Sequence, residues 1–346
     1  VAEHQVIKPE KIVATAAVAL EEQLIVPAVF RREGIDQFKG ATDDTINVTV
    51  EGVLPYRSYG WRADRTTEVV FDEYAERKVA VQFGGDIYSA VKLTDEQNEM
   101  DLRGWAKLAT KQTEAIGRGL EHEATNHLVA APYEVTLGVA DTSLRAGLIR
   151  AGLTLDALRA PGRRAMLIGT GWQSALLNDE KLNLASNVGE VEAVTALREA
   201  TLARRFGFDF VVARELPADT AIALVDSAFI FMSAAPGVPQ SVPFGATASH
   251  NGVALRWIRD YDSTRFQDRS IFNSYRGFRN VDDPLVGHDG SNQPFVSTHN
   301  HFVRAIKLVL NGTDSLPDPV AGRTDENAKF TIEYDTELAN ITGISG

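Results

Sequence analysis

The 346 residues contain no cysteine. That excludes disulfides, thiolate metal sites and cysteine nucleophiles together. Any hardening of a structure built from this chain must come from packing, charge or another kind of bond. Long apolar runs are missing too. The most apolar segment, Ala221–Ala235, falls short of the ~20 residues a membrane span requires and is interrupted by Asp226. The first residues from Val1 do not form a basic start leading into an apolar h-region, so no signal peptide is expected. A surplus of positive charge is the third absence. Thirty-five Lys and Arg face 47 Asp and Glu, giving a net charge of −12. Proteins that grip nucleic acid need a basic face, because neutralised phosphates supply most non-specific affinity. The first 43 residues hold five basic against seven acidic residues, so they make no basic arm. A chain of this charge that surrounds DNA contains it without clinging to it.

What is present is an ordinary globular composition, 44% apolar and 24% charged, on a chain long enough for two cores. Pro9 suits the first turn of an Ala/Val-rich helix over about Glu10–Leu24 that Pro27 is expected to stop. Apolar residues then alternate: Ile46, Val48 and Val50; Val69 and Phe71; Val79, Val81 and Phe83. That period predicts half-buried strands and a long hairpin with a broad tip at Leu54–Arg65. Thr94-Asp-Glu-Gln97 is a capping-box pattern, and Trp105, Leu108, Ile116, Leu120 and Leu128 follow helical spacing, so a long helix is expected from Thr94 to Ala131. From Ser143 the pattern turns α/β: a helix over 143–159, a strand over Arg164–Ile168, helices over 171–179 and 190–206, and a strand over Phe208–Ala213. A Pro/Gly/Ser-rich link at 236–245 precedes strands in 252–262 and 269–278. Residues 282–300 read as an exposed loop, 302–310 as a strand, and 311–346 as an acidic tail.

Three weak motifs attract functional readings. His122 and His127 flank Glu123 on a helix, but a zinc helix needs its histidines four apart, and five places them about 140° apart around the axis. They read as helix-surface histidines. His299 and His301 with Asp289 share a face only if the segment is extended. Gly169-Thr-Gly171-Trp-Gln-Ser174 follows a strand and opens a helix, which is the setting of a dinucleotide turn and the one basis for a nucleotide-dependent enzyme. Trp172 and Gln173 crowd such a turn and no Gly-Lys-Ser/Thr follows, so it reads as a plain strand-to-helix connection. No catalytic, metal or cofactor-binding set emerges.

The order of elements is an arm, a long hairpin, a long helix, an α/β domain and returning strands. This α+β order resembles that of HK97-fold capsid proteins of tailed bacteriophages, in the branch of the P22 coat. The segments that carry the resemblance are Lys8-Pro-Glu10 with its Ala-rich helix, GATDDTINVTV (40–50), DIYSAVKLTDEQ (86–97), FGFDFVVARELP (206–217), and GVALRWIRDYD followed by DRSIFNSYRGF. It covers about residues 1–280. The resemblance implies an N-arm over 1–43 and an extended E-loop β-hairpin over 44–83. It implies a discontinuous P-domain over 84–135 and 245–281 carrying a long spine helix, an inserted α/β A-domain over 136–244, and a C-terminal loop, strand and acidic tail over 282–346. It further implies a non-enzymatic major capsid protein of the virion, assembled in the host cytoplasm into hexamers and pentamers around double-stranded DNA. Scaffolding and portal proteins would be its partners, with room for a decoration protein, and no cofactor and no membrane are involved. An encapsulin-like compartment shares the fold and is the alternative.

Within that picture the hairpin tip is the expected contact site. Tyr56, Arg57, Tyr59, Trp61, Arg62 and Arg65 gather there with only Asp64 opposing, and aromatic and Arg residues are the ones interface hot spots favour. Such loops also bind nucleic acid, but the acidity of the chain favours a neighbouring subunit. The acidic helix start, Asp95, Glu96, Glu99 and Asp101, is the natural partner.

Overall fold

The computed structural model describes residues 9–33, 45–50, 54, 59, 61, 66, 68, 69, 71, 77–96, 105–158, 160, 162–179, 206–242, 244–288 and 294–314. The chain divides into two compact units, one of Val1–Asn47, Ala80–Ala130 and Phe229–Arg279, the other of Val48–Val79, Ala131–Ala228 and Asn280–Gly346.

Helix α1 spans Pro9–Gln23, with Val13, Ala16, Ala17 and Leu20 buried. Those positions form one stripe at helical spacing. The helix ends at Gln23, ahead of Pro27, which sits instead inside the short helix α2 (Val26–Val29). Proline is tolerated in a first turn because the amide it lacks has no intrahelical partner there. The remaining amides at that end, Ile25 N–H and Val26 N–H, donate to the carboxylate of Glu121 at 3.0 Å each. Strand β1 (Arg31–Glu33) follows, and β2 (Thr45–Val50) pairs with β3 (Arg77–Gln82) in a two-stranded sheet. Val69 and Phe71, expected in a half-buried strand, lie outside any strand and are exposed. Their alternation marks apolar side chains for which the described part of the chain provides no cover.

Strand β4 spans Asp86–Thr94, Asp95 and Glu96 are helical, and helix α3 runs over Trp105–Ala130. At ~1.5 Å per residue, α3 is about 39 Å long. Its glycines have a packing reason. A Cβ on Gly119 would lie 2.5 Å from Ile87 Cδ1 of β4, and one on Gly117 would lie 3.3 Å from Leu20 Cδ1 of α1. The smallest residue lets both neighbours approach.

In the second unit β5 (Thr136–Val139) leads through a single 3-10 turn to α4 (Leu144–Ala157), β6 (Arg164–Ile168), α5 (Thr170–Asn178), β7 (Asp209–Val212) and β8 (Thr220–Val225). The chain returns to the first unit with β9 (Phe229–Ala234), β10 (Phe244–His250), β11 (Val253–Asp262) and β12 (Gln267–Asn280). The remaining strands are β13 (Asp283–His288), β14 (Pro294–His301) and β15 (Ala305–Leu310). Residues 282–300, expected as a loop, are therefore largely a β-hairpin. The turn-forming residues that suggest a loop, Asp289, Gly290, Ser291 and Asn292, fall between its two short strands. The expected helix over 190–206 lies outside the described residues apart from Phe206, as does the tail from 315.

The sheet of the first unit has the order β1-β9-β12-β11-β10, with β4 also pairing β12. Strand β11 pairs antiparallel with β10 and β12, and β12 with β4, whereas β1 and β9 run parallel. Helix α1 packs on β10, β11 and α3, while α3 packs on β4. Gln112 and Ser270, buried beneath α3, satisfy one another and the main chain: Gln112 Nε2 donates to the carbonyls of Ser89 and Ser270 at 3.0 and 2.9 Å. Ser270 Oγ donates to Gln112 Oε1 at 2.8 Å, and Trp257 Nε1 donates to Ser270 Oγ at 2.9 Å. A buried network of this kind specifies one register of helix on sheet. Residues 9–33 belong to this core: Leu24, Val26 and Phe30 are buried, and Phe30 stacks on Phe229 at 5.0 Å between centroids.

The second unit has a mixed sheet in the order β5-β15-β8-β6-β7. Strands β8 and β9 are buried at every position, and they split one apolar stretch of sequence between two sheets. The β13–β14 hairpin pairs with no other strand among the described residues.

Candidate inter-subunit surface

Within 54–71 the described apolar residues are exposed. Trp61 is 93% exposed, Phe71 90% and Val69 63%, while Leu54 and Tyr59 are also exposed. Burying a side chain of this size is worth about 1.5–3 kcal/mol relative to leaving it in water. Several such residues on one short stretch mark a surface that is stable when something covers it. Tyr56, Arg57, Arg62 and Arg65 lie outside the described residues, as do Glu99 and Asp101.

Of the expected acidic partner surface, Asp95 and Glu96 are described and belong to the first unit, and both are exposed. Asp95 has a partner in its own unit: Tyr261 of β11 donates its O–H to Asp95 Oδ2 at 2.9 Å. The carboxylate acceptor holds the Tyr261 phenol above its ordinary pKa. Sequence spacing gives no sign of this pair, which is separated by 166 positions.

Two further exposed aromatics carry no sequence motif. Phe266 is exposed in the turn between β11 and β12, where its φ of +49° is unusual for a residue with a bulky side chain. Tyr88 stands exposed on β4, among positions that alternate exposed and half-buried. That alternation over 86–94 is the signal the sequence offers for it. The β11–β12 hairpin carries a cross-strand ladder of ion pairs, with Arg259 Nη2 to Asp268 Oδ2 at 2.7 Å and Arg269 Nη2 to Asp260 Oδ2 at 2.5 Å. Partly solvated pairs of this kind contribute ~1 kcal/mol or less, yet Asp260 and Arg269, directly opposite in the register, help to hold it.

The weak motifs take structural places. Gly169 caps α5, and the segment Pro217–Asp219 fills the space before the helix. Trp172 N–H donates to the Ala218 carbonyl at 3.1 Å, and Trp172 Nε1 to the Asp219 carbonyl at 2.8 Å. A Cβ on Gly169 would lie 2.2 Å from the Pro217 carbonyl oxygen, so this glycine serves close packing of main chain. His127 stacks on Phe278 at 5.8 Å and meets Phe229 edge-on, while His122 is exposed. His301 shares a hydrogen bond of 2.8 Å with Glu134, and Asp289 lies outside the described residues. Among the described residues no group of three or more His, Asp or Glu is placed to hold a metal ion, and no helix is long and apolar enough to cross a membrane.

No family model matches the chain, and no curated protein matches it in sequence. Solved structures do match. A chain of Mycobacterium phage Che8 superposes with a TM-score of 0.54 at 14% identity, over 82% of this chain and 90% of that one. A chain of the capsid of cyanophage P-SCSP1u gives 0.53 at 11% identity, over 81% and 89%. The chain shares its fold with phage capsid proteins. The mature capsid of bacteriophage PhiM1 supplies a further match, with a TM-score of 0.52 at 9% identity over 78% of this chain and 83% of that one. At such identities the likeness is one of fold alone. The capsid-like fold is α+β and built on sheets, as the sequence order predicts.

Proposed function

We propose that this chain is the major capsid protein of a tailed bacteriophage, a shell subunit that acts by assembling with copies of itself. The observation that carries the reading is the fold shared with capsid chains over about four-fifths of the molecule. In this reading 44–83 is an extended E-loop, the helix ending at Ala130 is a spine helix, and the α/β part is an A-domain meeting its equivalents around capsomer axes. Scaffolding and portal proteins serve assembly, and the shell encloses double-stranded DNA without reading its sequence.

The mechanism is contact repeated by symmetry. A single weak interface leaves a subunit largely free, but in a closed point-group arrangement the same interface recurs at every copy and the contacts act together. Exposed Trp61, Val69 and Phe71 support a contact of this kind, and the Arg residues around them add charge of the sign opposite to the chain's overall −12.

Negative-stain electron microscopy of the purified protein, with and without the product of its neighbouring scaffold gene, tests the reading. Closed shells are expected. Monodisperse monomers under every condition would overturn it. The double variant Arg62→Glu/Arg65→Glu is expected to stay soluble but to form no shells or deformed ones; particles of normal shape and stability would remove the stretch from the interface.

A further inference from the structure

Within the first unit, β12 lies between β4 and β11, antiparallel to both. Residues directly opposite one another in such strands point to the same face, and successive residues to opposite faces. Ser270 faces α3, since its Oγ bonds Gln112, so Arg269 and Ile271 stand on the other face. The register arranges that second face in rows. The middle row is apolar, with Ala90 of β4, Ile271 of β12 and Ile258 of β11. Tyr88 shares the row on one side of it with Arg256, and Lys92 shares the row on the other side with Arg269 and Asp260. Tyr88 is 68% exposed, Ala90 and Lys92 are exposed, and the two isoleucines are half-buried.

The row with Lys92 is unbalanced within the subunit. Lys92 stands directly opposite Arg269, and like charges in that position are destabilising. Arg269 already serves two carboxylates, Asp260 at 2.5 Å and Asp262 at 3.7 Å, while Lys92 enters no ion pair among the described residues. The β4 side thus has a spare cation and the β11 side a spare anion. With Asp86, which the same alternation puts on this face, the face carries three acidic and three basic residues, although the chain as a whole has a net −12. A polyanion finds no surplus of positive charge there, and a second acidic copy finds no repulsion.

The pattern is complementary to itself. An axis along β12 exchanges the β4 side with the β11 side, so a second copy turned about it sets Lys92 over Asp260 and Tyr88 over Arg256. Arg256 is fixed for that meeting: Nε donates to Asn273 Oδ1 and Nη1 to the Gly237 carbonyl, each at 2.8 Å. Such in-plane bonds leave the flat face of a guanidinium to an aromatic ring. A two-fold contact uses one patch on both copies, each residue of a pair meeting the other twice. Resting on the shell reading above, we propose that the second face of β4, β12 and β11 is a two-fold contact with the same face of another copy of this chain. In it Lys92 pairs with Asp260, and Ile271 meets its equivalent across the axis.

The chain lacks cysteine, so Ile271→Cys introduces a single thiol that crosslinks only where two copies bring that position together. Shells of this variant, treated with a short bismaleimide and run on denaturing gels, should give covalent dimers at least tenfold above the same protein kept unassembled. Lys92→Glu separates the contact from the stability of the subunit. Within one chain it replaces a like-charge pair by an opposite one, so the melting temperature of the unassembled subunit should hold or rise. Across the axis it sets a carboxylate against Asp260, so the yield of shells should fall at least tenfold. Adding Asp260→Lys reverses the pair and should recover most of that yield. Normal yields from Lys92→Glu, or Ile271→Cys shells without dimers above background, would overturn the proposal while leaving the shell reading intact. A loss in Lys92→Glu that Asp260→Lys does not recover would give the face to a different partner and overturn it as well. Failure of the unmodified chain to form shells would remove both.

Discussion

At the scale of the residue, glycines explain more of this molecule than any charged side chain does. Gly169 looks like part of a phosphate-binding turn because it follows a strand, opens a helix and stands two residues before another glycine. In the fold it has a different role, since the Pro217 carbonyl oxygen occupies the place a Cβ would take, 2.2 Å away. Main chain does not yield as the end of a flexible side chain does. Gly169→Ala is therefore expected to destabilise the unassembled subunit by about 1–3 kcal/mol, the usual cost of overpacking. Gly237 has open space where its Cβ would stand and no unusual φ, so Gly237→Ala should change stability by less than about 0.5 kcal/mol. Urea titrations of the two variants measure the contrast. Equal, small effects would mean that the turn is loose enough to admit a ligand.

At the scale of the element, residues 9–33 are the instructive case. They lie within 1–43, whose sequence reads as an arm with one short helix, too small to form a core by itself, because an arm and a core element differ only in what lies against them. Yet the spacing of Val13, Ala16, Ala17 and Leu20 is that of a helix with one buried face, and Leu20 is fully buried. Leu20→Ala is expected to cost about 2–5 kcal/mol, the range for a large-to-small change in a packed core. Unfolding of the subunit followed by tryptophan fluorescence gives the number, and a loss below about 1 kcal/mol would return the segment to the status of a free arm. The same contrast governs what else is legible. The bounds of α1 and the C-terminal end of α3 can be read to within a residue or so, since caps, prolines and 3.6-residue spacing are local signals. Strands β6 and β11 are equally plain. The hairpin at 283–301 is hidden because glycine, asparagine and proline crowd its short strands, and those residues signal a turn wherever they stand. Strand β4 shows only a weak alternation ahead of a much stronger helix signal. Of the candidate surface, the aromatic character of the 54–71 stretch is legible, while the engagement of Asp95 by Tyr261 is not, since it depends on which strand the fold brings beside the helix start.

At the scale of the whole molecule, the balance of charge decides between two uses of the stretch that holds aromatic and basic residues. Arg57, Arg62 and Arg65 with Tyr59 and Trp61 have the composition of a single-strand or phosphate-contacting loop as well as that of a hot spot. The remainder of the chain is acidic enough to repel a polyanion, with a net −12. Over distances within a Debye length of ~8 Å at physiological salt, the local arginines act; beyond it, screening weakens both the attraction and the repulsion. If the stretch gripped DNA, each arginine would neutralise about one phosphate. The observed binding constant would then fall with salt on a log–log slope of about −0.9 per contact, or about −2.7 for three. A shell subunit that uses the stretch to meet its neighbour predicts something different. Fluorescence anisotropy with a short labelled duplex should show binding weaker than ~100 µM at physiological salt, the weak limit of non-specific association. The variant Arg57→Gln/Arg62→Gln/Arg65→Gln should be indistinguishable from the unmodified chain in that measurement while failing to form shells. Tight binding with the steep slope, abolished in the triple variant, would assign the arginines to the packaged genome and take them away from the neighbouring subunit.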